Sequence, residues 1–414
     1  MLNLALSQLL GSRVLDASGA VAGRVREVAI NPQEDSTRIS ALIVRTKAGD
    51  RLVPAHLVTM RQNHLFYSNG DPGSWPKVEK PEDLFLLERD LLDQQIIDVH
   101  GRKVVRVNDV DLHNGNGNGG LNLKVAEVDV GTRGAVRRLL KGVVPQNAVE
   151  KLVGKLPTRV IPWEFVDLIE TDPARRVKLK IEHERLSRLH PADIADILEE
   201  LAPAEREAVF RTLDEQVAAD ALEEINPRMQ VSIMQSLDSE RAADIVEEMD
   251  PDAAADLLGD LPEETSEEIL EQMEPAEREE VQELLEHKED TAAGLMTTEY
   301  LAASPENSVA DAINLLRNFE GGIETVSTVY LVDAGHHLVG AVPLARLALA
   351  QPEAPLSSLN TQPTIFCDEH TRDSHVPELF DKYNLFTLPV VDNENVLLGV
   401  ITADDVINLL RERQ

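Results

Sequence analysis

Residues 182–290 carry 35 acidic and 8 basic side chains, a net charge of −27 out of −34 for all 414 residues. Carboxylates at that density are hard oxygen donors of the kind that metal ions take as ligands. Charge of this sign repels a nucleic-acid backbone, so direct nucleic-acid binding is not expected and metal ions or polycations are the natural partners. Covalent chemistry has less footing. Cys367 is the one cysteine, which excludes an internal disulfide and a cysteine-rich zinc site and fits a reducing cytosol. It has no activating neighbour in sequence, and the pair His336 and His337 falls in a turn between strands, so surface or packing roles are expected and no enzyme activity. The run NGNGNGG at 114–120 is followed by no helix, so it reads as a turn and not as a phosphate cradle. Trp75 and Trp163 read as core or docking anchors.

The elements that must position these groups are legible as three internal repeats. In the acidic region Pro203, Pro227, Pro251 and Pro275 recur at a constant period of 24, together with Leu201, Ile225, Met249 and Met273 and with Asp196, Asp220, Asp244 and Glu268. Each unit holds two short amphipathic helices, the second opened by its proline, and stacking of four units predicts an α-solenoid. At the C-terminal end, Leu331, Val332, Asp333 and Gly340 return at an offset of 59 as Val390, Val391, Asp392 and Gly399, in copies with the order β-α-β-β-α. At the N-terminal end, Leu15, Asp16, Gly19, Val25, Val28 and Ile30 match Ile97, Asp98, Gly101, Val107, Val110 and Leu112 at an offset of 82, in strands and turns, with a helix predicted over 135–156 in the second copy. Residues 124–180 are net +5, so a contact between this basic stretch and the acidic region is one expectation. The expected architecture is multidomain α+β, with domains at 1–88, 89–178, 182–290 and 291–414, the last made of copies at about 291–350 and 356–412. The longest mainly apolar stretch, 338–350, contains Pro343 and Arg346 and is too short to span a bilayer, and no signal peptide opens the chain, so a cytoplasmic location is expected.

Three motifs carry a family resemblance. HPADIADILEEL at 190–201, EEMDPDAAADLL at 247–258 and HKEDTAAGLMTTEY at 287–300, followed by KYNLFTLPVVD at 382–392 and GVITADDVINLL at 399–410, resemble the cytosolic N domain and CBS pair of the MgtE magnesium transporters. The N-terminal repeat, through its VLDASGAVAGRV-like turns at 14–25 and its strand-proline endings, more loosely resembles two PRC-barrel domains, small β-barrels that serve as docking modules. The resemblance implies a magnesium sensor ending at Gln414 without the family's permeation domain, dimeric through its CBS pair, and docking through its barrels on a membrane transporter or another protein. By motif position it implies metal ligation by Asp220, Asp252 and Asp405, the alternative being solvated helix-face charge; Asp252, just after Pro251, also suits a helix dipole by ~0.3–1 kcal/mol. It further implies an adenine-nucleotide site at Gly399, Thr402 and Asp405, where the alternative for Thr402 is an ordinary helix N-cap. Pro343 and Arg346 hold the matching places in the first copy, so at most one nucleotide site is expected. Asn384, Asn408, Arg372 and Ser374 replace residues that are commonly acidic in the transporters, which implies fewer or weaker magnesium sites. Two other functions remain compatible: a metal-independent scaffold whose solenoid binds another protein, as similar helical repeats do in flagellar motor components, and an adenylate-responsive CBS regulator.

Overall fold

The computed structural model describes residues 3–61, 65–68, 72–78, 83–114, 121–140, 156–170, 172, 185–288, 290–319, 321 and 326–412. They form two compact units, residues 1–217 and 218–414.

The first unit is β-rich. Its strands are β1 (Asn3–Ala5), β2 (Arg13–Leu15), β3 (Val21–Ile30), β4 (Ile39–Thr46), β5 (Gly49–Pro54), β6 (Val58–Arg61), β7 (Leu65–Ser68), β8 (Phe85–Leu86), β9 (Gln95–Asp98), β10 (Lys103–Arg106), β11 (Asp109–Asn114), β12 (Leu123–Asp129), β13 (Val160–Pro162) and β14 (Val166–Leu168). Short helices α1 (Leu6–Leu9), α2 (Leu87–Asp90) and α3 (Thr132–Leu139) punctuate them. The helix expected over 135–156 is thus described only as far as Leu139; residues 141–155, and 115–120 of the glycine-rich run, lie outside the described residues. The repeat at offset 82 has a local cause in its turns: Asp16 accepts from the N–H of Ser18 and Ala20, and its counterpart Asp98 accepts from Gly101 N–H.

Tertiary structure uses that repeat in a way no local signal announces. The arm β1–α1 precedes the first copy yet pairs with β11 of the second, Leu4 opposite Leu112, while β8–α2 precedes the second copy yet pairs with β3 of the first, Leu86 opposite Ala29. Each exchanged helix start is held by a buried carboxylate. Glu27 accepts from the N–H groups of Val28, Glu88 and Arg89; Asp109, its counterpart in the second copy, accepts from the N–H of Val110 and Ser7 and from Ser7 Oγ, with Arg137 at 2.8 Å. One apolar cluster from Leu4 to Val166 runs through both copies and contains Trp75, with Trp163 packed on its margin. A cut between 88 and 89 passes through α2.

The solenoid begins in this unit with α4 (Pro191–Glu200) and α5 (Pro203–Phe210), each with proline at its first position. The chain then forms α6 (Glu215–Glu223), within which the second unit begins, followed by α7 (Pro227–Met234), α8 (Ser239–Val246), α9 (Pro251–Asp260), α10 (Glu263–Gln272) and α11 (Pro275–Leu285). Two helices per repeat is the periodicity expected. Apolar residues on one stripe, such as Ala254, Leu257 and Leu258 of α9, are buried because no single helix of this length hides its own face.

The C-terminal repeats have the order read from the sequence: β15 (Leu301–Ala303), α12 (Val309–Arg317), β16 (Thr328–Val332), β17 (Leu338–Pro343) and α13 (Leu344–Leu349), then β18 (Cys367–Asp368), α14 (Val376–Tyr383), β19 (Thr387–Val391), β20 (Leu397–Thr402) and α15 (Ala403–Glu412). In each copy the first strand is parallel to the second and the last two are antiparallel. The copies clasp through their hairpin turns: Leu338 N–H donates to Asn395 O and Leu397 N–H to His336 O, and both turn residues are left-handed, φ 62° at His336 and 67° at Asn395. Among the described residues no helix is long and apolar enough to cross a membrane.

Candidate functional site

Asp252 lies in the first turn of α9, where Pro251 starts the helix. Its Oδ1 is shut off from solvent and has no hydrogen-bond partner. Burial raises its pKa well above the usual carboxylate range; Asp405 and Asp250 add to the rise, and a hydrogen bond from Thr297 opposes it. Asp405 lies in the first turn of α15, and its Oδ2 accepts from Thr402 N–H at 3.0 Å and from Thr402 Oγ. Burial, with the charges of Asp404 and Asp250, pushes Asp405 up to about 6 against those hydrogen bonds. The solenoid and the last C-terminal helix therefore bring two carboxylates into one electrostatic environment that neither satisfies. Buried like charges of this kind must share protons or acquire a cation.

A second set adjoins them. Glu223, at the end of α6, accepts the N–H of Asp250 at 2.8 Å and so caps the start of α9; Glu247, one repeat later, caps Glu274 in the same way. The capped position draws Glu223 inside, and burial together with Asp250 pushes its pKa up to about 8. Asp250 is raised by burial, then by Asp404 and Asp220. Asp220 on α6 thus sits at the edge of the same acidic field, nearer to Glu223 and Asp250 than to the Asp252–Asp405 pair in its electrical effects. Sequence reasoning missed Glu223, Asp250, Asp404 and Thr297. The recurrence of glutamate at 223 and 247 was the available signal for the first; nothing local marks Thr297.

The expected nucleotide residues are held together, with structural duties of their own. A Cβ at Gly399 would lie 2.7 Å from Thr297 O, where the segment before β15 pairs with Val400 in both directions, so close backbone approach requires glycine there. Thr402 donates its hydroxyl to Asp405. In the first copy Pro343 stands directly before α13, and Arg346 donates to Leu359 O at 3.0 Å and to Thr361, anchored to the segment between the copies. Asn384 occupies the left-handed position that ends α14, φ 51°, a conformation asparagine tolerates. Cys367 is buried, its thiol pushed up to about 12 by burial and Asp368. Among the described residues no three His, Cys, Asp or Glu side chains converge as a preassembled metal cage.

Residues 189–290 match the family model of the MgtE intracellular N domain, and residues 292–353 and 356–412 each match the CBS domain. The magnesium transporter MgtE of Thermus thermophilus is 34% identical over 133 residues, 32% of this chain and 30% of that protein, so the match spans under a third of the relative's length. The crystal structure of the soluble part of a magnesium transporter is 25% identical, covering 59% of this chain and 94% of that one, with a TM-score of 0.54. The cytosolic domain of the Mg2+ channel MgtE in complex with ATP is 30% identical, covering 56% of this chain and 94% of that one, with a TM-score of 0.53.

Proposed function

We propose that this chain, which belongs to the MgtE family through its intracellular N domain and CBS pair, is a cytoplasmic magnesium-responsive regulator in which Asp252 and Asp405 hold the ion between solenoid and CBS pair. The observation that carries this reading is the orphaned, solvent-shielded Oδ1 of Asp252 in a half-buried pair of carboxylates. The donors fit the ion: they are hard oxygens, two in number, and one has no other partner. Bound magnesium supplies the positive charge that the pair lacks. Thr297 and Thr402 position one oxygen of each carboxylate, and Asp250, Asp404 and Asp220 deepen the negative field around them. Without a cation, mutual repulsion opposes closure of α9 on α15.

Two finer features belong to the same reading. The N-terminal β-rich copies serve as PRC-barrel-like docking modules for a partner protein, and the CBS pair associates with a second copy. A second ligand is supported by the Thr402–Asp405 pair in the second CBS copy and by the ATP in the complex of the related cytosolic domain: one adenine nucleotide per chain, with Arg346 engaged elsewhere.

The test is melting of the full chain in magnesium chloride and in sodium chloride at equal ionic strength. Millimolar magnesium should raise the melting temperature well beyond sodium, and Asp252→Asn should remove the difference. Identical curves for the two salts would refute ion bridging.

A further inference from the structure

Among the described residues, the acidic solenoid makes a contact with the N-terminal half through the hairpin β9–β10. Arg102, in the turn of that hairpin, reaches Asp193 in the first turn of α4 at 2.9 Å. Glu200, the last residue of α4, accepts the N–H of Val104 at 2.8 Å. Asp193 and Glu200 are separated by two helical turns and so share one face of the helix. Val104 lies on β10, the edge strand of the sheet β10–β9–β14; it stands opposite Ile97 with its N–H directed away from β9, and Glu200 takes that free edge donor.

Two further observations mark this contact as a built one. Arg102 has φ 49°, a left-handed conformation that costs a residue with a long side chain and that glycine or asparagine would adopt more cheaply. The repeat supplies a control: the positions matching Arg102 and Val104 in the first copy are Ala20 and Ala22, and alanine cannot make the ion pair. The copy that meets the helix has arginine where its counterpart has a methyl group.

We propose that the second N-terminal β-copy is a receptor for the acidic face of α4, and that this clamp makes the N-terminal region follow the first solenoid helix, transmitting magnesium-driven movement to the docking modules. The regulatory half of this inference rests on the function proposed above; the clamp itself does not. The exchanged arms make the two β-copies share one core, so a body held at β10 carries both.

Spin labels on the full chain separate the two. The pair Lys47→Cys with Ala204→Cys reports the β-copies against the solenoid, Ala204→Cys with Glu353→Cys reports the solenoid against the CBS pair, and Lys47→Cys with Glu353→Cys reports the transmitted movement; Cys367 is buried and stays unlabelled. The first pair should give a narrow distance distribution that ignores magnesium and at least doubles in width in the Arg102→Ala, Glu200→Ala variant. The second should shift with magnesium in both backgrounds, and the third only with the clamp intact. An unchanged first distribution in the variant overturns the clamp. A third pair that ignores magnesium while the second responds overturns the transmission. If the second pair itself is insensitive to magnesium, the sensing function falls, and the first pair still decides the clamp.

Discussion

Carboxylates withdrawn from water occur in both halves of the molecule, fully buried in the first and half-buried in the second, and their surroundings divide them into two kinds. Asp109, fully buried beside β1–α1, receives two backbone N–H groups, a serine hydroxyl and the Arg137 guanidinium. Glu27, its counterpart, receives three backbone N–H groups. Asp252 receives Thr297 and its own backbone N–H, with one oxygen bare and Asp405 as its electrostatic neighbour. The same functional group is a structural anchor where donors converge on it and, in the function proposed above, a cation ligand where other carboxylates do. The partners, more than the depth of burial, set the two kinds apart.

The largest expected effect comes from the anchored kind. Asp109→Ala should destabilise the N-terminal region by ~3 kcal/mol, because the buried N–H and hydroxyl of Ser7 lose their acceptor and Arg137 is left with Asp111 alone. Urea unfolding followed by Trp75 and Trp163 fluorescence measures it. Asp252→Asn in magnesium-free buffer should do the opposite and leave stability equal or higher, since it removes a repulsive charge; an equal loss in both variants would erase the distinction.

Next is the pH response of the acidic field. Glu223 has a folded pKa of about 8, above the ordinary value of 4.5, so the folded state binds the proton more tightly and stability is greatest below about 4.5 and is lost as pH rises toward 8. Each pH unit inside that window costs ~1.4 kcal/mol per group of this kind. Thermal melts from pH 5 to 8 should fall steeply for the natural chain without magnesium and flatten in Glu223→Gln; an unchanged slope in the variant would place the pH dependence elsewhere.

Smaller is the magnesium increment itself. At ten times the dissociation constant a single site adds ~1.4 kcal/mol, and Asp252→Asn, Asp405→Asn and the double variant should each lose nearly all of it. Strict additivity of the two losses would show that the residues serve separate ions. The smallest effect concerns a position where the transporters commonly hold an acid. Asn384→Ala should cost ~1 kcal/mol through its left-handed backbone, in sodium and magnesium alike; a loss confined to magnesium would assign Asn384 to the metal.

The three internal repeats determined the helices of the solenoid, the order of the C-terminal modules and the doubling of the N-terminal strands, because each rests on local spacing of apolar residues, prolines and turn residues that a short segment already contains. The motifs also singled out Asp252 and Asp405, two carboxylates that the structure brings into one electrostatic environment. Which of 74 acidic residues are drawn partly inside was not legible: Glu223 is half-buried where its carboxylate meets the N–H of Asp250, and Thr297 faces Asp252 because Gly399 lets its backbone approach. The exchange of β1 and β8 between copies and the seat of α4 on β10 were equally invisible, since the same strands satisfy the same local pattern whichever copy they join. Local spacing sets what each segment becomes, whereas pairing between distant segments depends on which partner completes a shared core and satisfies a buried donor or charge, and only the tertiary structure decides that.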